Sequence, residues 1–321
     1  MRDFPPLTEI LDGCKSIMIF AVPYVSELNS ENLPLGFGRI ARYSMGRDYH
    51  KVIRKRLNKI LGLMKEISEV DFNFRAFADA VPIMERPLAK NALGGFIGKN
   101  SLHIIPQFGS FHFLAEVLTT LCPSNLRILV EEYNKKVKDE LLSFSKLSFE
   151  SRRTSSCGDC QRCMNACPTG AIVSPYTVNA SKCISYLTIE HVGVFNDWQR
   201  KAVSNWIFGC DICQEVCPFN ASIFDRSIPE EFLGEGTASL NLENIIEIPN
   251  NQSFLNIFAG TPMMRPGRSG LIRNALAVIG NQKASVLISA VSELRSDSDP
   301  IISYEANICY ERLNNEELTS I

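Results

Sequence analysis

Eight of the 11 cysteines in this chain lie between positions 157 and 217, at spacings that can hold iron. The first run reads C-x2-C-x2-C-x3-C-P, which is typical of proteins that carry two 4Fe–4S clusters. The second run, Cys210-x2-Cys213-x3-Cys217-Pro218, repeats this spacing with its first cysteine moved back to Cys183. Because the fourth cysteine of such a run ligates the other cluster, the two runs predict two clusters that exchange a ligand.

The expected ligand sets follow from that exchange. One cluster is expected to be held by Cys157, Cys160, Cys163 and Cys217. The other is expected to be held by Cys167, Cys183, Cys210 and Cys213. Zinc is the alternative metal, because two C-x2-C pairs also build tetrahedral sulfur sites, but the paired x3-C-P endings favour iron. A disulfide framework is disfavoured, because a chain of this length can bury a core without covalent staples.

The composition is that of a globular chain without a dominant charge. Its 321 residues are long enough for two or three domains, and 45% of them are hydrophobic. The formal net charge is −2, so nucleic-acid binding must use a local basic patch. The longest apolar run, residues 17–22, is too short to cross a membrane. With reduced cysteines and no targeting segment, we expect a cytoplasmic protein without membrane contact.

The region before the cysteines has the patterns of a mixed domain that positions side chains for chemistry. Residues 16–22 form an apolar run that predicts a buried strand. Asp48 has the character of an N-cap for a helix through about Ile67, with apolar residues at helical spacing. A second strand is predicted over residues 72–78, and it delivers Asp79 to its end.

Glycine loops and further helices are predicted next. A helix is expected to begin around Pro82, and the glycine-rich residues 94–100 lack the spacing of a nucleotide-binding P-loop. A short helix is predicted from His112 to Leu121, so His112 is interpreted as a surface residue at a helix start. A long amphipathic helix is predicted from Leu126 to about Leu147, followed by a linker over residues 151–156.

Three helices are predicted near the C-terminal end, over Leu271–Ile279, Lys283–Leu294 and Ile301–Leu313. Around the start of the first of them, Arg265, Arg268 and Arg273 form the best local candidate for phosphate binding, because arginine binds phosphate oxygens in a fork. Ion pairs or caps at the start of that helix are the alternative role.

Beyond the cysteine spacing, further short motifs occur in order over most of residues 15–281. They are GRIARY at 38–43, DYH at 48–50, DAVP at 79–82, ER at 85–86, GKN at 98–100, CISYLTIE at 183–190, GCDICQEVCP at 209–218, RPGR at 265–268 and RN at 273–274. With these motifs the chain resembles the epoxyqueuosine reductase family. It departs from the family pattern by beginning close to the first strand, by extra sequence before Cys157, and by a short C-terminal helical region.

The resemblance implies an oxidoreductase with cobalamin and two 4Fe–4S clusters as cofactors. Such an enzyme reduces the epoxide of epoxyqueuosine at the wobble position of tRNA to the alkene of queuosine. The resemblance also implies the tRNA anticodon stem-loop and an external electron donor as partners, and we expect a monomer. Asp79, in the matching DAVP motif, is implied as the proton donor.

The same resemblance implies a set of cofactor-binding residues. These are Arg39, Tyr43, Asp79, His103, Ser110, Ser185, Leu187 and Asp211. His50 is interpreted as a helix residue rather than an axial cobalt ligand, because Ile53 stands where a cobalamin motif of a different fold has glycine.

Asp79 must hold a proton near neutral pH if it is to act as an acid. A free aspartate has a pKa of about 3.9, so desolvation by apolar neighbours such as Phe77, Ala80 and Val81 is expected to raise it. The alternative role for Asp79 is an ordinary strand-end carboxylate that caps the following helix.

Together these patterns predict an α+β protein in three parts. Residues 1–150 are expected to form a cobalamin-binding α/β domain, residues 151–225 a two-cluster ferredoxin-like domain, and residues 226–321 a short helical-repeat-like region. Two other functions remain as alternatives: a cobalamin-dependent reductase of a small molecule, similar to a reductive dehalogenase, and a two-cluster electron-transfer protein. A cobalt assay separates the electron-transfer protein from both enzymes, and a substrate assay separates the two enzymes from each other.

Overall fold

The computed structural model describes residues 5–25, 33–106, 108–137, 156–221, 228–234 and 238–314. The chain divides into two compact units, each of which collects three separate segments of sequence. The first unit comprises Met1–Leu28, Asp48–Gln161 and Cys217–Leu233. The second comprises Asn29–Arg47, Arg162–Val216 and Gly234–Ile321. Both units contain helices and strands, and none of the described helices is long and apolar enough to cross a membrane.

The first unit is built on a three-stranded antiparallel sheet. Its strands are β1 (Ser16–Pro23), β6 (His112–Thr119) and β3 (Phe74–Phe77), in that spatial order. Its helices are α1 (Leu7–Ile10), α2 (Tyr49–Ile67), α3 (Glu85–Leu93) and α4 (Pro123–Lys136). A separate antiparallel pair joins β4 (Phe96–Ile97) to β5 (His103–Ile104). The two predicted strands are present as β1 and β3, but β3 is shorter than predicted and β1 is half-buried, with only Ile19 buried among its residues.

Strand β6 is the centre of this sheet, and the helix predicted from His112 to Leu121 is wrong. It pairs with β1 along its whole length and with β3 along half of it, and all its residues except Leu114 are buried. A strand buried on both faces carries a continuous apolar run, which periodicity cannot distinguish from a buried helix. His112 is therefore a buried strand residue and not a surface residue at a helix start.

Helix α2 is confirmed, with Asp48 at its N-cap. The Asp48 side chain accepts a hydrogen bond from the backbone N–H of His50, and the helix packs its apolar face against β3 and α4. Helix α4 begins at Pro123 and ends at Lys136, because Val137 has an extended backbone. The remainder of the helix predicted to Leu147, and the linker over residues 151–155, lie outside the described residues.

The second unit contains a different three-stranded sheet. Strand β2 (Phe37–Ile40) lies between β10 (Ser239–Asn241), which is antiparallel to it, and β9 (Trp206–Phe208), which is parallel to it. A short antiparallel pair is formed by β7 (Ile172–Ser174) and β8 (Thr177–Val178). The helices of this unit are α5 (Arg162–Ala166), α6 (Ile184–Ile189), α7 (Asp197–Ala202), α8 (Ile212–Glu215), α9 (Leu242–Ile246), α10 (Asn251–Phe258), α11 (Gly267–Gln282), α12 (Ile288–Leu294) and α13 (Pro300–Asn314).

Helix α11 forms the centre of the second unit. It packs against α9, α13 and β9, and its residues from Gly270 to Gly280 are all buried. The left-handed backbone of Lys283 ends the helix, and a 3-10 turn over Ser285–Leu287 leads into α12. The three helices predicted near the C-terminal end are confirmed, although α12 begins at Ile288 instead of Lys283.

Candidate active site

Asp79 lies on a turn just after β3, where its carboxylate faces solvent. The backbone of Asp79 is left-handed, with φ of +49°, a conformation that is uncommon for residues other than glycine. Its side chain is 68% exposed, while the preceding Ala78 is buried. The predicted enclosure of Asp79 by Phe77, Ala80 and Val81 is therefore wrong for the chain alone, because Phe77 points into the core instead.

Asp79 is held by groups from α2 and α3. The Tyr49 hydroxyl donates to Asp79 Oδ2 at 3.0 Å, and the backbone N–H of Asp79 donates to Glu85 Oε1 at 3.1 Å. His50 Nε2 lies 4.0 Å from Asp79 Oδ2, and its Nδ1 lies 2.8 Å from Asp48 Oδ1. His50 is thus a residue of α2, as predicted, with its ring fixed between two carboxylates.

The alternative role of Asp79 as a helix cap is wrong. Helix α3 begins at Glu85 rather than at Pro82, its N-cap position is Met84, and no side chain caps it. The contact between Asp79 and α3 runs the other way, because the Glu85 side chain accepts from the Asp79 backbone. The Asp79 carboxylate therefore remains available for chemistry.

Two further carboxyls near Asp79 were missed by the sequence reasoning. Burial, reinforced by the negative charge of Asp79, raises the pKa of Glu85 to about 7. Burial also raises the pKa of Glu116 on β6 to about 8, with smaller contributions from Glu85 and Asp79. Glu116 is 0% exposed, and neither of its carboxyl oxygens has a hydrogen-bond partner in the described structure. At neutral pH Glu116 is therefore mostly protonated, and Glu85 is partly protonated.

His103 and Ser110, both expected to bind cofactor, are buried in the first unit. His103 Nε2 lies 2.8 Å from the carbonyl oxygen of Gly94, and His103 Nδ1 lies 3.2 Å from His112 Nε2. Burial lowers the pKa of His103, so its ring is neutral. The backbone N–H of Ser110 donates to Asn220 Oδ1, and its hydroxyl accepts from Asn220 Nδ2. The polar atoms of both side chains thus have partners within the protein.

The cofactor candidates of the second unit differ in their exposure. Arg39 on β2, Tyr43 in the following 3-10 turn and Ser185 on α6 are half-buried. Leu187 is fully buried and packs in an apolar cluster of α6, α7 and α11.

Asp211 is buried as well, and its position is fixed by Arg42. The carboxylate accepts from the Arg42 backbone N–H at 2.8 Å and from its guanidinium at 3.3 Å. Burial outweighs this favourable charge and raises the pKa of Asp211 to about 6.

The eight clustered cysteines are half-buried and form no disulfide, and short elements position them. Cys157 and Cys160 form a turn before α5, Cys163 lies within α5, and Cys167 follows it. Cys183 is the N-cap residue of α6. Cys210 precedes α8, which contains Cys213, and Cys217 begins the 3-10 turn after it. Among the described residues, no three His, Cys, Asp or Glu side chains converge as they do around a single ion.

Backbone amides approach two of these sulfurs. Cys157 Sγ accepts from the backbone N–H of Lys99 at 3.4 Å, and Cys167 Sγ accepts from that of Ala171 at 3.3 Å. The Lys99 ammonium also donates to the Gly158 carbonyl oxygen at 2.7 Å. Sequence reasoning recognised the GKN motif around Lys99 but gave this lysine no role.

Two of the three arginines considered for phosphate binding are structural. Arg273 is buried and donates to the carbonyl oxygens of Leu187, His191 and Gly193. Arg268 is also buried, and donates to the Ile248 carbonyl oxygen and the Asp297 carboxylate. The phosphate role is wrong for both, because their guanidinium groups are buried and donate to acceptors within the protein. Arg265 is exposed and forms a two-pronged ion pair with Glu190.

The fold and the cysteines define an iron–sulfur protein, and residues 156–220 match the family model of the 4Fe–4S double cluster binding domain. Residues 6–80 match a second model, described as Epoxyqueuosine reductase QueG, DUF1730. A curated epoxyqueuosine reductase from Xanthomonas campestris pv. campestris is 34% identical to this chain, over 83% of this chain and 68% of the relative. Another, from Leadbetterella byssophila, is 35% identical over 83% of this chain and 78% of the relative. The chain belongs to the epoxyqueuosine reductase family.

The relative from Escherichia coli K12 is 38% identical over 83% of this chain, but the match spans only 63% of that protein. The chain thus spans less than two thirds of the length of some of its relatives. Among solved structures, the epoxyqueuosine reductase of Streptococcus thermophilus aligns with a TM-score of 0.75 and 27% identity, covering 96% of this chain and 75% of that one. An epoxyqueuosine reductase crystallised with an epoxyqueuosine-modified tRNA-Tyr stem loop gives a TM-score of 0.77, with 27% identity and coverages of 95% and 75%.

Proposed function

We propose that this chain reduces epoxyqueuosine to queuosine at the wobble position of tRNA. The proposal is supported by the family membership and by the similarity to the reductase that was crystallised with an epoxyqueuosine-modified tRNA stem loop. Its partners are then a tRNA anticodon stem-loop and an external electron donor.

The observation that carries this proposal is the exposed carboxyl of Asp79. Conversion of an epoxide to an alkene consumes two electrons and two protons and releases the oxygen as water. Asp79 stands at the surface of its turn and accepts a hydrogen bond from the Tyr49 hydroxyl, so a bound nucleoside can reach its carboxyl. For Asp79 to deliver a proton to the departing oxygen, the bound substrate must supply the desolvation that the chain alone does not. A similar solved structure, from Bacillus subtilis, is described with the catalytic loop of an aspartate swung out of the active site, which fits an exposed loop for such a residue.

Glu85 is placed to hold the second proton. It contacts the Asp79 backbone, and its pKa of about 7 leaves it partly protonated near neutral pH. Burial is the largest cause of the raised pKa of Glu85, and the negative charge of Asp79 adds to it.

The cofactors implied by the family are two 4Fe–4S clusters and a cobalamin. When bound, they supply electrons one at a time and the metal chemistry that opens the epoxide. The eight half-buried thiols have the number and the sequence spacing of ligands for two clusters. The half-buried Arg39, Tyr43 and Ser185 fit contacts to a polar corrin periphery. Leu187 and Asp211 are buried by contacts within the protein, so they fit residues that support the cofactor-binding residues rather than contact the cofactor themselves.

Nucleoside mass spectrometry on tRNA that carries epoxyqueuosine tests the proposal. The tRNA is incubated anaerobically with the reconstituted protein, cobalamin and a strong reductant. Loss of one oxygen from the modified nucleoside, dependent on cobalamin, is the expected result. An unchanged nucleoside with clusters and cobalamin both bound contradicts the proposal and favours a reductase of a small molecule. Clusters without any cobalamin binding favour the electron-transfer protein.

A further inference from the structure

Lys99 is a charged residue in an unusual position, because its side chain is almost fully enclosed. The residue is only 9% exposed. Lysine is rarely buried unless an opposite charge accompanies it, since an ammonium ion loses its hydration inside a protein. In the parts of the chain that the structure describes, no carboxylate lies within ion-pair distance of Lys99. The ammonium meets the Gly158 carbonyl oxygen instead.

The turn that carries Lys99 is fixed by close backbone contacts. Lys99 lies between β4 and β5, where Gly98 donates to the Leu102 carbonyl oxygen and accepts from Ser101. Just before β4, position 95 requires glycine, because a Cβ there would lie 2.2 Å from the Ile104 carbonyl oxygen. The backbone of this turn is therefore constrained, which fixes the position of the Lys99 N–H and of the Cα from which its side chain extends.

Both polar groups of Lys99 are directed at the first cysteine motif. Its backbone N–H donates to Cys157 Sγ at 3.4 Å, and its ammonium donates to the carbonyl oxygen of the next residue, Gly158, at 2.7 Å. A 4Fe–4S cluster with four thiolate ligands carries a net negative charge, which becomes more negative on reduction by one electron. Such a cluster on Cys157 is the opposite charge that the buried ammonium otherwise lacks.

We propose that Lys99 is a positioning residue for the cluster ligated by Cys157, and that its buried positive charge raises the reduction potential of that cluster. Net charge and hydrogen bonds to the sulfurs are among the factors that set the potential of an iron–sulfur cluster. A fixed ammonium stabilises the reduced form more than the oxidised form, because the reduced cluster carries more negative charge. The inference depends on the double-cluster domain and not on the proposed reaction.

The test is an EPR-monitored redox titration of the anaerobic, cluster-loaded protein. The informative variant is Lys99→Gln, which keeps the backbone amide and a donor for the Gly158 carbonyl but removes the charge. The matched variant Lys99→Arg keeps the charge. Lys90→Gln removes an exposed lysine from α3 in the same unit and controls for general changes in charge. A Cys157→Ser variant shows which of the two reduction waves belongs to the cluster beside Lys99.

A single shifted wave is the expected result. In Lys99→Gln the wave assigned through Cys157 moves to a lower potential, the other wave stays in place, and neither moves in Lys99→Arg or Lys90→Gln. Unchanged potentials in Lys99→Gln at full iron content overturn the proposal, and so does an equal shift of both waves. Lys99→Gln can also fail to load iron. In that case, normal iron content in Lys99→Arg supports the pairing of the lysine charge with the cluster. Loss of iron from both variants overturns the proposal.

Discussion

Asp79 reaches solvent through a backbone conformation that costs free energy, and this cost is consistent with a residue that acts on a substrate. Its left-handed φ and its contacts to Tyr49 and Glu85 hold one carboxylate at the end of a short strand. We expect Asp79→Asn to lower the single-turnover rate on epoxyqueuosine tRNA by about 10²- to 10⁴-fold, the range typical of a lost general acid. Cluster and cobalamin spectra should be unchanged, because Asn keeps the shape of the side chain.

Another surface aspartate supplies the control for that experiment. Asp71 is exposed in the same unit, so Asp71→Asn should leave the rate unaffected. Full activity in Asp79→Asn, with the same cofactor content as the unmodified chain, removes Asp79 from the chemistry.

Glu116 makes the stability of the protein depend on pH in an unusual direction. Its folded-state pKa of about 8 lies above its ordinary value of 4.5, so the unfolded chain releases this proton at a lower pH than the folded chain does. The folded state therefore loses stability as pH rises from about 4.5 to about 8, by an amount on the order of a few kcal/mol. The Glu116→Gln variant has no carboxyl at this position to titrate. The difference between its thermal midpoint and that of the unmodified chain should therefore rise with pH over this window.

Thermal unfolding of both proteins measures the effect, at three pH values that span the window, about 5, 6.5 and 8. The unpaired amide of glutamine adds a cost that does not vary with pH, so the trend and not the sign at one pH is diagnostic. Glu69→Gln, at an exposed position, is the matched control for the loss of one carboxylate. A flat difference for Glu116→Gln means that the carboxyl is not held in its neutral form.

At the scale of single elements, the sequence predicts amphipathic pieces well and buried ones poorly. Helix α2 was predicted correctly, because Asp48 and one-sided apolar spacing mark its start and its buried face. Strand β6 was mistaken for a helix, because its two buried faces erase the alternation that identifies a strand. That error also hid Glu116, whose burial follows from the central position of β6 in the sheet.

The N-cap of α2 connects this helix to the candidate site. Asp48 accepts from the His50 backbone, and its other contact fixes the His50 ring near Asp79. We expect Asp48→Ala to lower the free energy of unfolding by about 1 kcal/mol, as is typical for a lost cap. Asp48→Asn should retain most of that stability, because asparagine caps helices nearly as well. Chemical denaturation of the two variants measures the difference, and equal losses in both point to the charge rather than to the cap.

At the scale of the whole molecule, the double-cluster domain was predictable from the sequence, and the surroundings of its cysteines were not. Cysteine spacing carries the ligand prediction because a cluster imposes its geometry on a short loop, whatever the rest of the chain does. The partner of a buried charge is set by the fold instead. Arg42 and Asp211 are 169 positions apart, and Lys99 and Cys157 are 58 apart. No local sequence pattern predicts such pairs. The contacts of Arg273 are unpredictable for the same reason, because tertiary packing brings its backbone carbonyl acceptors to α11.

The exchange of ligands between the two cysteine runs makes a prediction that local sequence alone does not. If the fourth cysteine of each run binds the other cluster, Cys167→Ser should affect the same cluster as Cys183→Ser and leave the cluster of Cys163 intact. Cys163 lies only four positions from Cys167, whereas Cys183 lies 16 positions away, so proximity in sequence predicts the opposite grouping. Iron content and EPR spectra of the three reduced variants decide between them. A Cys167→Ser spectrum that matches Cys163→Ser means that each run holds its own cluster, and the ligand sets expected here are then wrong.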